Sequence, residues 1–224
     1  MRSFLVLLFA LPSLAALGAD PQMGTKASPA EAVAIRQTFT DYQAALASKD
    51  GKKAASLVDA ETLRYYAASQ KLALEANRET VQKQPLIDKL MVLRMRAEFP
   101  AEKLARYSPQ ELIAVGVDRG WVGSTAENAL GEIFIRGDHA RGQALVQGEP
   151  VPLYHEFFRE GGAWRLSLVA LTRAVGPVMS EAARRLELSE DEFLMFMLEQ
   201  GLPKKPGPEI WDAPRPAGKS KKKK

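Results

Sequence analysis

The stretch from Val151 to Leu168, VPLYHEFFREGGAWRLSL, leaves this chain little freedom in how it folds. Valine, leucine, tyrosine, phenylalanine and tryptophan crowd both sides of Gly161-Gly162, and paired glycines supply the positive φ that a tight hairpin turn requires. Two strands joined by a hairpin are therefore predicted. On the second, Trp164, Leu166 and Leu168 share one side while Arg165 and Ser167 share the other, the pattern of a strand with one dry face. On the first, Leu153 and Phe157 flank His155, and Tyr154, Glu156 and Phe158 take the opposite side. Both of its faces are mixed, as in a central strand covered on both sides. ALGEIFIR and HARGQALVQ make a second strand pair upstream, with turns expected at Gly137-Asp138 and Gly148-Glu149-Pro150. The C-terminal half thus predicts one antiparallel sheet of about four strands.

Everything before the sheet is helical in pattern. Ser28-Pro29-Ala30-Glu31 supplies an N-cap, a proline at the first helical position and a capping-box glutamate. Ile35, Phe39, Tyr42 and Leu46 follow at helical spacing, and Asp50-Gly51 ends the helix. A second helix carries Ala54, Leu57 and Val58; a third starts near Ala60 and holds Leu63, Tyr66, Leu72 and Leu74. Helical periodicity returns from Thr80 to Phe99, with Pro85 tolerated in the first turns but kinking the helix further in. Ser108-Pro109-Gln110-Glu111 opens a short helix that stops by Gly120, and Trp121 to Glu127 connects into the sheet. After Leu168 the chain turns helical again, with a third capping box at Ser189 and Glu192 and a stop at Gly201 and Pro203. Phe193, Leu194, Phe196, Met197 and Leu198 cover more than one narrow face of that last helix. The two readings are a terminal helix docked on the domain and a helix that binds a partner.

The ends differ from the body. Residues 1–19, MRSFLVLLFALPSLAALGA, combine a positive Arg2, an apolar run from Phe4 to Ala16 and small residues at Gly18 and Ala19. That is the pattern of a secretory signal peptide cleaved after Ala19, or after Gly18 with Ala16 at the −3 position. The run is shorter than the ~20 residues that span a bilayer, which weighs against an uncleaved anchor. Export predicts a periplasmic or secreted protein, with residues 20–27 as a linker and 28–203 as the folded domain. The chain has no cysteine, which excludes disulfides, a lipid-modified cysteine, thiol catalysis and thiolate metal sites. A 224-residue chain with 46% hydrophobic content can build its core by packing alone. The net charge of +4 is unevenly spread. From Lys204 onward seven lysines and one arginine face only Glu209 and Asp212, so the folded body is slightly acidic. Residues 204–224, rich in proline, glycine and lysine, are predicted to be a disordered, solubilising tail. Lys221, Lys222, Lys223 and Lys224 offer a weak contact to an anionic surface, at about 1 kcal/mol per lysine. Without interleaved aromatic residues, no specific nucleic-acid recognition is expected.

Helices followed by an antiparallel sheet, ending in Phe157-Phe158, Gly161-Gly162, Trp164 and Leu166, resemble the nuclear transport factor 2-like superfamily. The opening helix with Phe39 and Tyr42, and the segment Ala54-Ala55-Ser56-Leu57-Val58, are similar to that family's first two helices. The resemblance covers roughly Pro29 to Ala170. It implies a curved, cone-shaped α+β domain, with helices on the concave side of the sheet and a cavity open at one end. The helical stretch from Ala60 to Gly120 is longer than the family needs, and a further helix follows the last strand; these additions would lid the cavity or form an interface. Members include isomerases, dehydratases and epoxide hydrolases beside many non-catalytic binders, so the fold alone does not decide the chemistry.

Tyr154, His155 and Glu156 form the densest polar-aromatic cluster. Glu156 inside an apolar cone would have a raised pKa and act as a general base, with Tyr154 or Tyr66 donating to a developing oxyanion. His155 points away from that pair. The plainer reading pairs Glu156 with Arg141 or Arg136 across the sheet. Arg64, Tyr65 and Tyr66 line either a pocket mouth or the edge of the core. Of Arg94 and Arg96, one would enter the cavity to hold an anionic ligand, or both would reach solvent over their own stems. The expected cavity set is therefore Tyr66, Arg94, Arg141, Tyr154 and Glu156. His139 follows a turn and is expected to be exposed; two histidines without a third ligand motif predict no metal. There is no Gly-rich phosphate loop, nucleophile elbow or HExxH, so no cofactor is predicted. Three functions remain open. The first is a non-catalytic protein binding a small apolar or amphipathic ligand or a protein partner; the second is an isomerase- or dehydratase-like enzyme. The third is an envelope interaction protein using the C-terminal helix and the lysine tail, and a homodimer is compatible with each.

Overall fold

The computed structural model describes residues 24–121, 128–202 and 204–214. A two-residue strand β1 (Thr25–Lys26) precedes seven helices: α1 (Pro29–Ser48), α2 (Gly51–Ser56), α3 (Ala60–Glu75), α4 (Arg78–Gln82), α5 (Leu86–Glu98), α6 (Ala101–Leu104) and α7 (Pro109–Asp118). Local chemistry sets most of the helix starts. Ser28 and Ser108 each accept from the glutamate N–H three residues on, and each glutamate accepts from the serine N–H. Asp50, Asp59 and Asn77 cap α2, α3 and α4 through their side-chain oxygens. The single helix predicted from Thr80 to Phe99 is two. Pro85 has no N–H and its ring drives Gln84 away from helical geometry, so α4 stops at Gln82 and α5 restarts behind the proline.

Four strands follow, β2 (Asn128–Arg136), β3 (His139–Val146), β4 (Glu149–Glu160) and β5 (Ala163–Ser167). All neighbours pair antiparallel in the order β1-β2-β3-β4-β5, an open meander. The α+β class is as predicted, with five strands in place of about four. The extra one is β1, formed from the expected linker where Thr25 and Lys26 pair with Ile135 and Phe134. Gly161 and Gly162 take φ of 58° and 81°, as the hairpin demands. The β3–β4 turn lies at Gln147 and Gly148, both at positive φ, so Glu149 and Pro150 already belong to β4. The free side of β5 is covered by the α2–α3 connection: Leu166 N–H donates to Leu57 O, and Asp59 N–H donates to Leu166 O.

α1 lays its predicted stripe on one face of the sheet. Ile35, Phe39, Tyr42, Ala45 and Leu46 are buried there with Phe157, Trp164 and Leu166, and Phe39 meets Phe157 edge-on at 6.5 Å. Beneath this layer α2 runs so close to α7 that a Cβ on Gly51 would fall 2.0 Å from the Ala114 carbonyl oxygen; only glycine fits. After β5 the chain passes directly into α8 (Leu168–Arg185), whose first N–H donates to the buried Thr62 Oγ1 of α3. α8 packs on α3 and α5, and α9 (Glu190–Gly201) packs on α5. α9 buries Phe193, Leu194 and Leu198 and leaves Phe196 exposed, which is the docked-helix arrangement.

The first half of the tail departs from expectation. Lys204 to Pro214 is ordered, with a 3-10 turn over Pro208–Trp211 that buries Ile210 and Trp211. Arg96 holds it there. Its guanidinium donates to the Leu72, Ala73 and Ala76 carbonyls, the unsatisfied negative end of α3, and to those of Ile210 and Trp211. Arg96 thus edges a small hollow beside the tail, with its guanidinium committed to these five carbonyls rather than reaching into solvent. The predicted signal peptide and the rest of the tail, residues 215–224 with Lys221 to Lys224, lie outside the described residues.

Candidate functional site

The five residues predicted to share one cavity are dispersed over three environments. Tyr66 is buried in the core on α3, and burial pushes its hydroxyl up to about 12. Arg94, on α5, donates to Glu98 Oε1 at 3.0 Å, while Arg119 takes the other carboxylate oxygen at 2.8 Å. Its guanidinium also lies 5.5 Å from the Trp121 ring, so Arg94 is part of a helix-joining network. Arg141, Tyr154 and Glu156 do come together, on the sheet face turned away from α1. Arg141 and Glu156 are direct cross-strand partners, and the Arg141 guanidinium sits 4.9 Å from the Tyr154 ring.

Glu156 is not the dry, unpaired carboxylate that a general base of raised pKa requires. Its side chain is 27% exposed, with His139 Nε2 at 3.3 Å and Arg141 Nε at 3.6 Å, contacts of ion-pair range whose geometry falls short of a hydrogen bond. His139 is itself half-covered, stacked on Phe158 at 4.7 Å, rather than freely exposed. The plainer expectation, pairing across the sheet, describes this cluster.

The opposite face of the sheet, where the cone cavity was expected, is filled by the side chains of the α1 layer. His155 lies in it with its ring 4.8 Å from Phe39, and burial lowers its pKa to about 4. Its Nε2 and the buried Tyr42 hydroxyl have no hydrogen-bond partner among the described residues. Burial, and then the neighbouring Tyr66, raise the Tyr42 pKa.

Open space lies elsewhere, in a groove of about 800 Å³ between α3, the start of α5, α8 and the first residue of α9. Pro85, Leu86 and Ile87 form one apolar wall; Val169, Gly176 and Pro177 form the other. Tyr65 enters from α3 and donates to Asp88 Oδ1 at 2.7 Å; burial first, and then this bond, raise the tyrosine pKa. At the far end Glu190 accepts from the buried Lys89 at 2.7 Å and from Ser180 at 3.3 Å, tying α5, α8 and α9 together. Two local features keep the groove open. A Cβ on Gly176 would meet nothing within 4 Å. Pro177, inside α8, has no N–H to give the Arg173 carbonyl one turn back, which leaves that acceptor on the groove wall. The volume lies in the range of small-molecule sites, and apolar walls with a few convergent polar groups are their usual composition.

A smaller hollow of about 430 Å³ adjoins it across the start of α3. Arg64, Arg136, His139 and Arg159 line it with Phe158 and four carboxylates. Of the flagged trio Arg64, Tyr65 and Tyr66, the first lines this hollow, the second the groove, and the third is core. Asp88 and Gly176-Pro177 were missed; a Gly-Pro pair inside an amphipathic helix was a signal for the second, and nothing in the sequence pointed to Asp88. Among the described residues no three His, Asp or Glu side chains gather as a metal site, and no helix is long and apolar enough to cross a membrane. No family model, curated protein or solved structure matches this chain.

Proposed function

We propose that this protein is a non-catalytic binding protein that holds a small amphipathic ligand in the groove between α3, α5 and α8. The observation that carries the reading is an open space of about 800 Å³ in which Tyr65 is hydrogen-bonded to Asp88 and Glu190 to Ser180 and Lys89. Such groups orient a ligand without attacking it. A base or nucleophile would need an unpaired, activated atom facing the space, and Tyr65 is committed to Asp88 as Glu190 is to Lys89. For the isomerase-like alternative the pairing of Glu156 with His139 and Arg141 is unfavourable. The envelope-interaction alternative loses its helix, because α9 spends its apolar face on α5.

The signal-like residues 1–19 support export to the periplasm or beyond. Membership of the nuclear transport factor 2-like superfamily remains part of the proposal, supported by the order of helices before an antiparallel meander and by the Phe157-to-Leu166 hairpin. In this reading the ligand space has moved from beneath the sheet to the seam made by the added helices.

Isothermal titration calorimetry with decyl glucoside, a neutral amphiphile kept below its micelle concentration, tests the reading. Saturable binding that is lost in Gly176→Leu supports it, because a Cβ at this position meets nothing within 4 Å and a longer side chain there would take up groove space. Absence of binding to the wild type, or binding untouched by Gly176→Leu, overturns it.

A further inference from the structure

The groove and the smaller charged hollow share a wall, and that wall is an ion pair. Glu61, on the hollow side, and Arg173, on the groove side, meet at 2.9 Å. The first turns of α3 divide the two spaces, with Arg64 facing one and Tyr65 the other. Within the hollow, each carboxylate already has a donor. Asp59 caps Thr62 N–H, Glu160 accepts from Ala60 N–H through both oxygens, Asp138 pairs with Arg159, and Glu61 pairs with Arg173. Arg64 and Arg136 have no hydrogen bond or ion pair among the described residues. Two guanidinium groups from separate elements, α3 and the end of β2, therefore face one hollow with no anion assigned to them. A guanidinium's planar fork matches the oxygens of a phosphate or carboxylate.

We infer that the ligand of the groove is an anionic amphiphile: its apolar chain lies along α8, and its oxyanion head crosses the Glu61–Arg173 boundary to Arg64 and Arg136. This rests on the groove reading above and adds the head group to it. The boundary is easily crossed. The Glu61–Arg173 pair is largely exposed, and exposed pairs contribute little to stability. Arg173 can turn from Glu61 towards an incoming anion without leaving a buried charge behind.

The test compares decyl phosphate, decyl glucoside, decyltrimethylammonium and inorganic phosphate by titration calorimetry against the full chain, in the wild type, Arg64→Gln/Arg136→Gln and Gly176→Leu. Decyl phosphate is expected to bind at least about tenfold more tightly than decyl glucoside, since charge-assisted hydrogen bonds are roughly twice as strong as neutral ones. The double variant should shrink that preference to within about threefold while leaving decyl glucoside binding intact, as loss of a head contact rather than of the fold would. Equal affinity for the three amphiphiles, or a preference untouched by the double variant, overturns the inference and leaves the groove reading standing. Binding of inorganic phosphate that depends on Arg64 and Arg136, with no amphiphile bound, removes the groove and the amphiphile together and leaves only an oxyanion site.

Discussion

Two seams of this molecule bury similar chemistry in opposite ways. Between α1 and the sheet the space is full, and polar atoms bear the cost: His155 Nε2, with its ring against Phe39, and the buried Tyr42 Oη have no partner among the described residues. Between α3, α5 and α8 the space is open, and the polar atoms are paired, Tyr65 with Asp88 and Lys89 with Glu190. The difference is instructive because the full seam is where the family likeness places a cavity. Orphaned polar atoms in a dry core look like a site when taken alone, but they have no room to receive anything. Room exists where added helices fail to close on one another, at the Gly176-Pro177 step, and there Tyr65 and Glu190 are hydrogen-bonded.

If the α1 seam is the packed core, its centre should be the most costly place to cut. Phe157 has no exposed surface and meets Phe39. Phe157→Ala is expected to lower the unfolding free energy by about 3–5 kcal/mol in urea titration. A loss under about 1 kcal/mol would mean that the seam already holds a hollow, and the contrast between the two seams would collapse.

His155 gives the next largest effect, and its sign follows from burial. Its pKa falls from the ordinary 6.5 to about 4 in the folded chain. Below about pH 6.5 the unfolded chain takes up a proton that the folded chain refuses, so stability is full above that pH and drains away as pH falls towards 4. Between pH 7 and pH 5 the loss is about 2 kcal/mol for this residue. His155→Phe should flatten the pH dependence of urea midpoints over that interval relative to wild type. Identical slopes would place the ring in contact with water or with an unrecognised partner, and the seam would not be dry.

How much of this was legible beforehand depends on how local the cause was. The Gly161-Gly162 hairpin and the boxes at Ser28, Ser108 and Ser189 were readable because each is fixed by residues within four positions. Pro85 was seen, but its effect on Gln84 was underweighted, and one expected helix became two. β1 was invisible: two polar residues become a strand only because β2, more than a hundred residues later, offers them an edge. Composition misjudged the first half of the tail, residues 204–214, for a similar reason. Its lysines and prolines outvote Ile210 and Trp211, yet those two pack once Arg96 on a distant helix supplies donors to their carbonyls. Beyond the Gly176-Pro177 step the groove has no sequence signature, since its walls come from three helices and its emptiness from how they fail to meet. Glu156 was expected to pair with Arg141 or Arg136 across the sheet, and strand register makes Arg141 its direct partner.

A matched pair of hydroxyl deletions compares the seams directly. Tyr65→Phe removes a donor from the 2.7 Å bond to Asp88 and should cost about 1–2 kcal/mol. Tyr42→Phe removes a buried hydroxyl with no partner among the described residues and should be neutral or stabilising by up to about 1 kcal/mol. The same chemical change with opposite outcomes, read from urea midpoints, is what paired and orphaned burial require. Equal costs at both positions would show that Tyr42 has a partner, and the orphan description would fail.

The smallest effect concerns the boundary between groove and hollow. Arg173 is 73% exposed on α8 and reaches Glu61 at 2.9 Å. An ion pair in water contributes little, because the Coulomb attraction is screened and two flexible side chains must be held in place. Alanine is also at least as good a helix former as arginine, so the backbone of α8 loses nothing. Arg173→Ala is therefore expected to change the unfolding free energy by less than about 0.5 kcal/mol. A cost above about 1.5 kcal/mol would make this pair a brace holding α8 against α3. The wall would then belong to the fold, as the α1 seam does, and would not be free to open for a ligand head.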